Sequence, residues 1–72
     1  MELSYKKLWK MLVERDMKKI DLQTSAGLAA NTMTRLRKSE PVSMEVLWRI
    51  CVVLGCNIDD VVEFILPKDG FI

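Results

Sequence analysis

Apolar residues recur along this chain at helical spacing. Tyr5, Leu8, Trp9, Leu12 and Val13 stand at i, i+3, i+4, i+7 and i+8, the stripe of an amphipathic helix, and Ser4 ahead of them supplies an N-cap. The pattern predicts a first helix over 4–15 and a short second one over 18–26, whose inward residues are Leu22 and Ala26. Gly27 then breaks the chain, since glycine adopts a left-handed backbone at a helix end without steric cost. A third helix over 30–38 buries Met33 and Leu36 and turns Ala30, Asn31, Thr34, Arg35 and Lys38 to the other side. Glu40, Pro41 and Val42 form a connection, because proline removes a backbone donor and biases its predecessor away from helix. A fourth helix over 43–54 opens at Ser43, carries Leu47, Ile50, Cys51 and Leu54 inward, and stops at Gly55. Asn57 with Asp60 resembles a capping box and predicts a fifth helix over 57–65, using Val61, Val62, Phe64 and Ile65 until Pro67 ends it.

These starts share one regularity: an apolar residue before each N-cap faces another five positions on, the spacing of a hydrophobic staple. The pairs are Leu3 with Leu8, Met17 with Leu22, Leu28 with Met33, Val42 with Leu47, and Cys56 with Val61. No internal repeat, strand alternation or low-complexity tract interrupts the series. The expected class is therefore all-α, a compact single domain spanning 1–72 with a short tail over 66–72.

Seventy-two residues, half of them hydrophobic, hold one small core and leave no room for a separate sensor or catalytic module. Charge is nearly balanced at +1 but unevenly placed: residues 1–40 carry +4 and residues 41–72 carry −3. The basic half contains the second and third helices. Cys51 and Cys56 come without any His, so a four-ligand structural metal site is not expected, and neither is a cofactor. Lys6, Lys7, Lys10, Glu14 and Arg15 interrupt the first apolar stretch, which argues against a secretory signal, and no uncharged run would span a bilayer. A soluble cytoplasmic protein without membrane association is the expectation. Asp59, Asp60 and Glu63 suit a helix start, where carboxylates complement the dipole, better than an acid/base pair, and no enzyme activity is expected.

Two short helices joined by a glycine turn can present the second to a DNA major groove. The run K-K-I-D-L-Q-T-S-A-G-L-A-A-N-T-M-T-R-L-R-K (Lys18 to Lys38), followed by V-S-M-E-V-L-W-R-I-C-V-V-L-G-C-N-I-D-D-V, resembles the Cro/CI-like (lambda-repressor-like, XRE-type) helix-turn-helix family in its small stand-alone form. The resemblance covers roughly Tyr5 to Ile65 and implies a five-helix fold. It places Leu22, Ala26, Gly27, Leu28, Met33 and Leu36 on the motif's structural positions. Gln23 departs from the family's usual Ala, and Lys18 and Ala29 stand where a Ser, Thr or Asn cap is usual.

What the resemblance implies about function is a DNA-binding transcriptional regulator whose partner is double-stranded DNA. Base edges would be met by Ala30, Asn31, Thr34 and Arg35. Arg pairs with guanine O6 and N7, Asn with adenine N6 and N7, and small methyl-bearing side chains touch the thymine methyl, so Arg35 and Asn31 are the leading readers. Phosphates would be met by Lys19, Thr32, Lys38 and Ser39, with Lys18 and Arg37 behind them.

Met44, Trp48 and Val52 form a second apolar line on the fourth helix that a five-helix core does not obviously cover. Trp48, Val52 and the tail residue Phe71 are accordingly the candidates for a homodimer interface, which would set two reading helices on a palindromic operator. With no sensor domain, a small-molecule effector is not expected and repression is the simpler mechanism. The rival is a protein-interaction module, such as an antitoxin-like subunit that binds another protein through the fourth helix or the tail.

Overall fold

The computed structural model describes residues 1–68, so the interface candidate Phe71 lies outside the described residues. It contains four α-helices: α1 (Lys6–Glu14), α2 (Lys19–Ala26), α3 (Ala30–Arg37) and α4 (Met44–Leu54). A single 3-10 turn, Ile58–Asp60, follows α4. Strands β1 (Glu2–Ser4) and β2 (Glu63–Ile65) pair antiparallel, with Leu3 opposite Phe64, and tie the two ends of the domain together.

The fifth predicted helix is thus corrected to a 3-10 turn and a strand. Its start is real, because the Asp60 carboxylate accepts the Asn57 backbone N–H at 3.2 Å, but only one turn forms behind it. Val62, Phe64 and Ile65 are β-branched or aromatic and favour extended backbone, and β1 offers Glu63–Ile65 an edge to pair with. Three residues at each end carry too little alternation to be read as strands. The pairing also moves the start of α1. Ser4 lies in β1 and Tyr5 takes the N-cap position, although the Ser4 hydroxyl still accepts the Lys6 N–H at 3.1 Å.

The core is drawn from every helix. Tyr5, Leu8, Leu22, Met33, Leu36, Ile50 and Val61 are fully buried, with Leu12, Ala26, Leu28, Leu47 and Leu54 around them. Met17, Val42 and Cys56, the leading members of three staple pairs, pack half-buried against it. Val13 leaves the predicted α1 stripe and is 77% exposed, while Trp9 and Cys51 are half-buried. Phe64 and Ile65, inward in a helical reading, are exposed on the strand.

All four helices end the same way. Asp16, Gly27, Ser39 and Gly55 adopt positive φ (57°, 65°, 59° and 64°) and fold the chain back. The next N–H then reaches five residues upstream: Met17 to the Leu12 carbonyl at 2.8 Å, Leu28 to Gln23 at 2.9 Å, Glu40 to Arg35 at 2.9 Å, and Cys56 to Cys51 at 3.1 Å. These are Schellman endings, which satisfy otherwise orphaned carbonyls. Glycine marked two of them in the sequence; Asp16 and Ser39 gave no comparable sign.

Candidate nucleic-acid interface

Met33 and Leu36 are fully buried and anchor α3 against the core. Their spacing fixes the rotation of the helix, so Ala30, Asn31, Thr34 and Arg35 are turned outward together, with Arg37, Lys38 and Ser39 exposed at its end. The four base-edge candidates and two of the phosphate candidates therefore share one continuous surface. Thr32 differs from the rest in being half-buried at the margin of that surface.

The Thr34 hydroxyl donates to the Ala30 carbonyl at 3.1 Å, one turn back. This spends its donor within the helix and leaves the methyl group as the outward chemistry, which suits contact with a thymine methyl rather than donation to a base. Arg35 takes part in no ion pair among the described residues. Its guanidinium and that of Arg37 lie in the last turn of α3, where cations complement the helix dipole.

α2 delivers the remaining basic group. Lys18 and Ala29 provide no side-chain cap, as their identities predicted. α2 compensates from inside, since the Asp21 carboxylate accepts the Lys18 backbone N–H at 2.9 Å. α3 has no equivalent. Lys19 opens α2 with its ammonium 4.5 Å from the centre of the Trp9 ring, a cation–π contact that places the charge beside α1.

Several residues that hold this surface had no functional reading in the sequence. The Tyr5 hydroxyl donates to the Glu40 carbonyl at 2.7 Å and pins the end of α3 to α1. Burial pushes the Tyr5 phenol above its ordinary pKa, keeping it a neutral donor. Arg49 on α4 pairs with Glu45 at 2.9 Å and donates to the Gly27 carbonyl at 3.3 Å, bracing the turn between α2 and α3. The Glu45–Arg49 spacing was visible as an i, i+4 pair; its third partner, 22 residues away, was not. Arg15 likewise donates to the Leu54 carbonyl at 2.6 Å and closes the end of α4 from α1.

A short helix, a tight left-handed turn and a second helix with its polar face outward define a helix-turn-helix. The sequence profile of the Cro/C1-type helix-turn-helix DNA-binding domain matches residues 7–67, and the chain belongs to that family. Among solved structures it is similar to the crystal structure of the transcriptional regulator VanUg, with 44% identity and a TM-score of 0.87, over 89% of this chain and 85% of that one. Comparison with curated proteins gives no significant match. Among the described residues, no helix is long and apolar enough to cross a membrane.

Proposed function

We propose that this protein is a sequence-specific transcriptional regulator that binds double-stranded DNA through α3 and represses by occupying a palindromic operator as a homodimer. The observation that carries the reading is the outward face of α3: Asn31, Thr34 and Arg35 side by side on a helix whose opposite face is fully buried. Arg35 and Asn31 read base edges, the Thr34 and Ala30 methyls contact thymine, and Lys19, Thr32, Lys38 and Ser39 hold phosphates. The similarity to VanUg, a transcriptional regulator, supports the regulatory part. The proposed function involves no catalysis, cofactor, metal or small-molecule effector. Asp60, the carboxylate best placed to suggest chemistry, is already engaged by the Asn57 N–H.

Support for the dimer comes from α4. Met44, Trp48 and Val52 are 71%, 66% and 59% exposed, a continuous apolar line on a small domain. Reading a palindromic operator would require such a dimer to hold its two α3 helices on successive major-groove faces, about 34 Å apart. The same line favours a second reading, an antitoxin-like subunit that uses it to bind a different protein while α3 binds DNA.

Selection of binding sites from random duplex DNA tests the proposal. An enriched motif is expected for the native protein. Arg35→Ala should relax preference at one position and weaken binding by about 1–3 kcal/mol, whereas Lys38→Ala should weaken all sequences alike and flatten the salt dependence. If no motif is enriched at low salt, the DNA-reading role is lost and the protein-binding reading replaces it.

A further inference from the structure

The two cysteines occupy the paired positions of a Schellman ending. Gly55 turns the chain at φ 64°, and the Cys56 N–H bonds the Cys51 carbonyl at 3.1 Å. A contact between the side chains at these two positions frequently accompanies the motif, and here the two thiols are close enough to perturb one another. Leu12 and Met17 hold the same positions at the end of α1, and there both side chains turn into the core. On α4 the pair is two free thiols, each half-buried and each lining a groove of about 490 Å³ open to solvent between Met44, Trp48, Val52 and Ile58.

We propose that Cys51 and Cys56 form a redox-active dithiol site that closes to an intramolecular disulfide by exchange with low-molecular-weight disulfides. A disulfide needs alpha carbons about 4.4–6.8 Å apart, and the 3.1 Å bond from the Cys56 N–H to the Cys51 carbonyl draws the two backbones together at this turn. One cysteine thiolate attacks a sulfur of the small disulfide, forming a mixed disulfide and expelling the first small thiolate. The second cysteine thiolate then attacks the protein sulfur of that mixed disulfide and expels the second. The protein loses two electrons and the small disulfide gains them; the two cysteine protons go to the two released thiols. The closed loop is short, so the bond adds little chain-entropy stabilisation and remains reducible.

The neighbours of the thiols set the conditions. Burial, the adjacent Cys51 and the Asp60 carboxylate raise the Cys56 pKa, against the opposing charge of Arg15 from α1. Exchange is therefore faster in mildly alkaline solution, where more thiolate is present. The site does not depend on the DNA-binding reading. A second copy seated on α4 would cover the groove, so the reaction is run in dilute protein.

The experiment treats the native chain with oxidised glutathione at about pH 8.5 and follows intact mass and alkylatable thiols. The expected product is a monomer lighter by two hydrogens, with both thiols protected, two glutathiones released per chain, and full recovery on adding dithiothreitol. Cys51→Ser and Cys56→Ser should each instead retain one glutathione as a stable adduct. Persistent double adducts, disulfide-linked dimers, or thiols that stay alkylatable in the native chain would each overturn the proposal.

Discussion

The Lys19 ammonium rests 4.5 Å from the centre of the Trp9 ring, so the first basic residue of α2 is oriented by the helix before it. A lysine on a flexible stem pays side-chain entropy when it binds a phosphate, and a ring that already holds it removes part of that cost. Lys19→Ala should weaken binding to every duplex alike and reduce the slope of log affinity against log salt by about 1. Trp9→Leu keeps the charge and should leave that slope in place while costing about 0.5–1 kcal/mol in affinity. Anisotropy titrations at several salt concentrations separate the two, and a Lys19→Ala slope equal to the native one would remove Lys19 from the phosphate contacts.

Asp16 ends α1 with φ 57°, a conformation that disfavours residues carrying a Cβ. The residue is exposed and its carboxylate has no hydrogen bond or ion pair among the described residues. Asp16→Gly should therefore stabilise the fold by about 0.5–1 kcal/mol, read as a higher urea midpoint at unchanged m-value. A lower midpoint would mean that glycine's extra freedom in the unfolded chain outweighs the relief of strain.

The bond from the Tyr5 hydroxyl to the Glu40 carbonyl gives stability an alkaline limit. Burial raises the folded-state pKa of Tyr5 above its ordinary value near 10. Below that value both states are protonated and the contribution is intact; above it the unfolded chain loses its proton first, and stability falls. Tyr5→Phe should lose about 1 kcal/mol at neutral pH and show a shallower decline above about pH 10. Chemical denaturation of both proteins from neutral to alkaline pH checks this; parallel declines would place the alkaline sensitivity in other groups.

The helix-turn-helix and the outward face of α3 were far more legible in sequence than the two ends of the fold. Met33, Leu36 and Gly27 set the helix-turn-helix by spacing and by a backbone requirement, both local properties, and they carried the outward positions of Asn31, Thr34 and Arg35 with them. The strand Glu63–Ile65 depends instead on Glu2–Ser4, about sixty residues away, and no local pattern of three residues reveals such a partner. The Asn57–Asp60 cap, expected to open a fifth helix, opens only a 3-10 turn, because a cap nucleates a turn without specifying its length. Arg49 and Tyr5 escaped functional notice for a related reason: their roles lie in single hydrogen bonds to backbone carbonyls brought close only by the folded chain.

Trp48 offers the sharpest test of the proposed dimer, because its exposure separates association from folding. Two thirds of the residue is solvent-accessible, so Trp48→Glu should change stability by only about 0.5 kcal/mol. Placed in a self-complementary interface, the same substitution sets two like charges against apolar surface and should abolish association. Sedimentation should then show a native dimer and a variant monomer with the same secondary structure. The DNA readout should split in parallel: affinity for a two-half-site palindrome should fall at least tenfold, while affinity for an isolated half-site should hold, since α3 is untouched. A variant that remains dimeric would move the interface away from α4, with the exposed Phe64, Ile65 and Leu66 next in line. A native protein that is monomeric both free and on DNA would remove the homodimer altogether and leave the α4 line to a different partner.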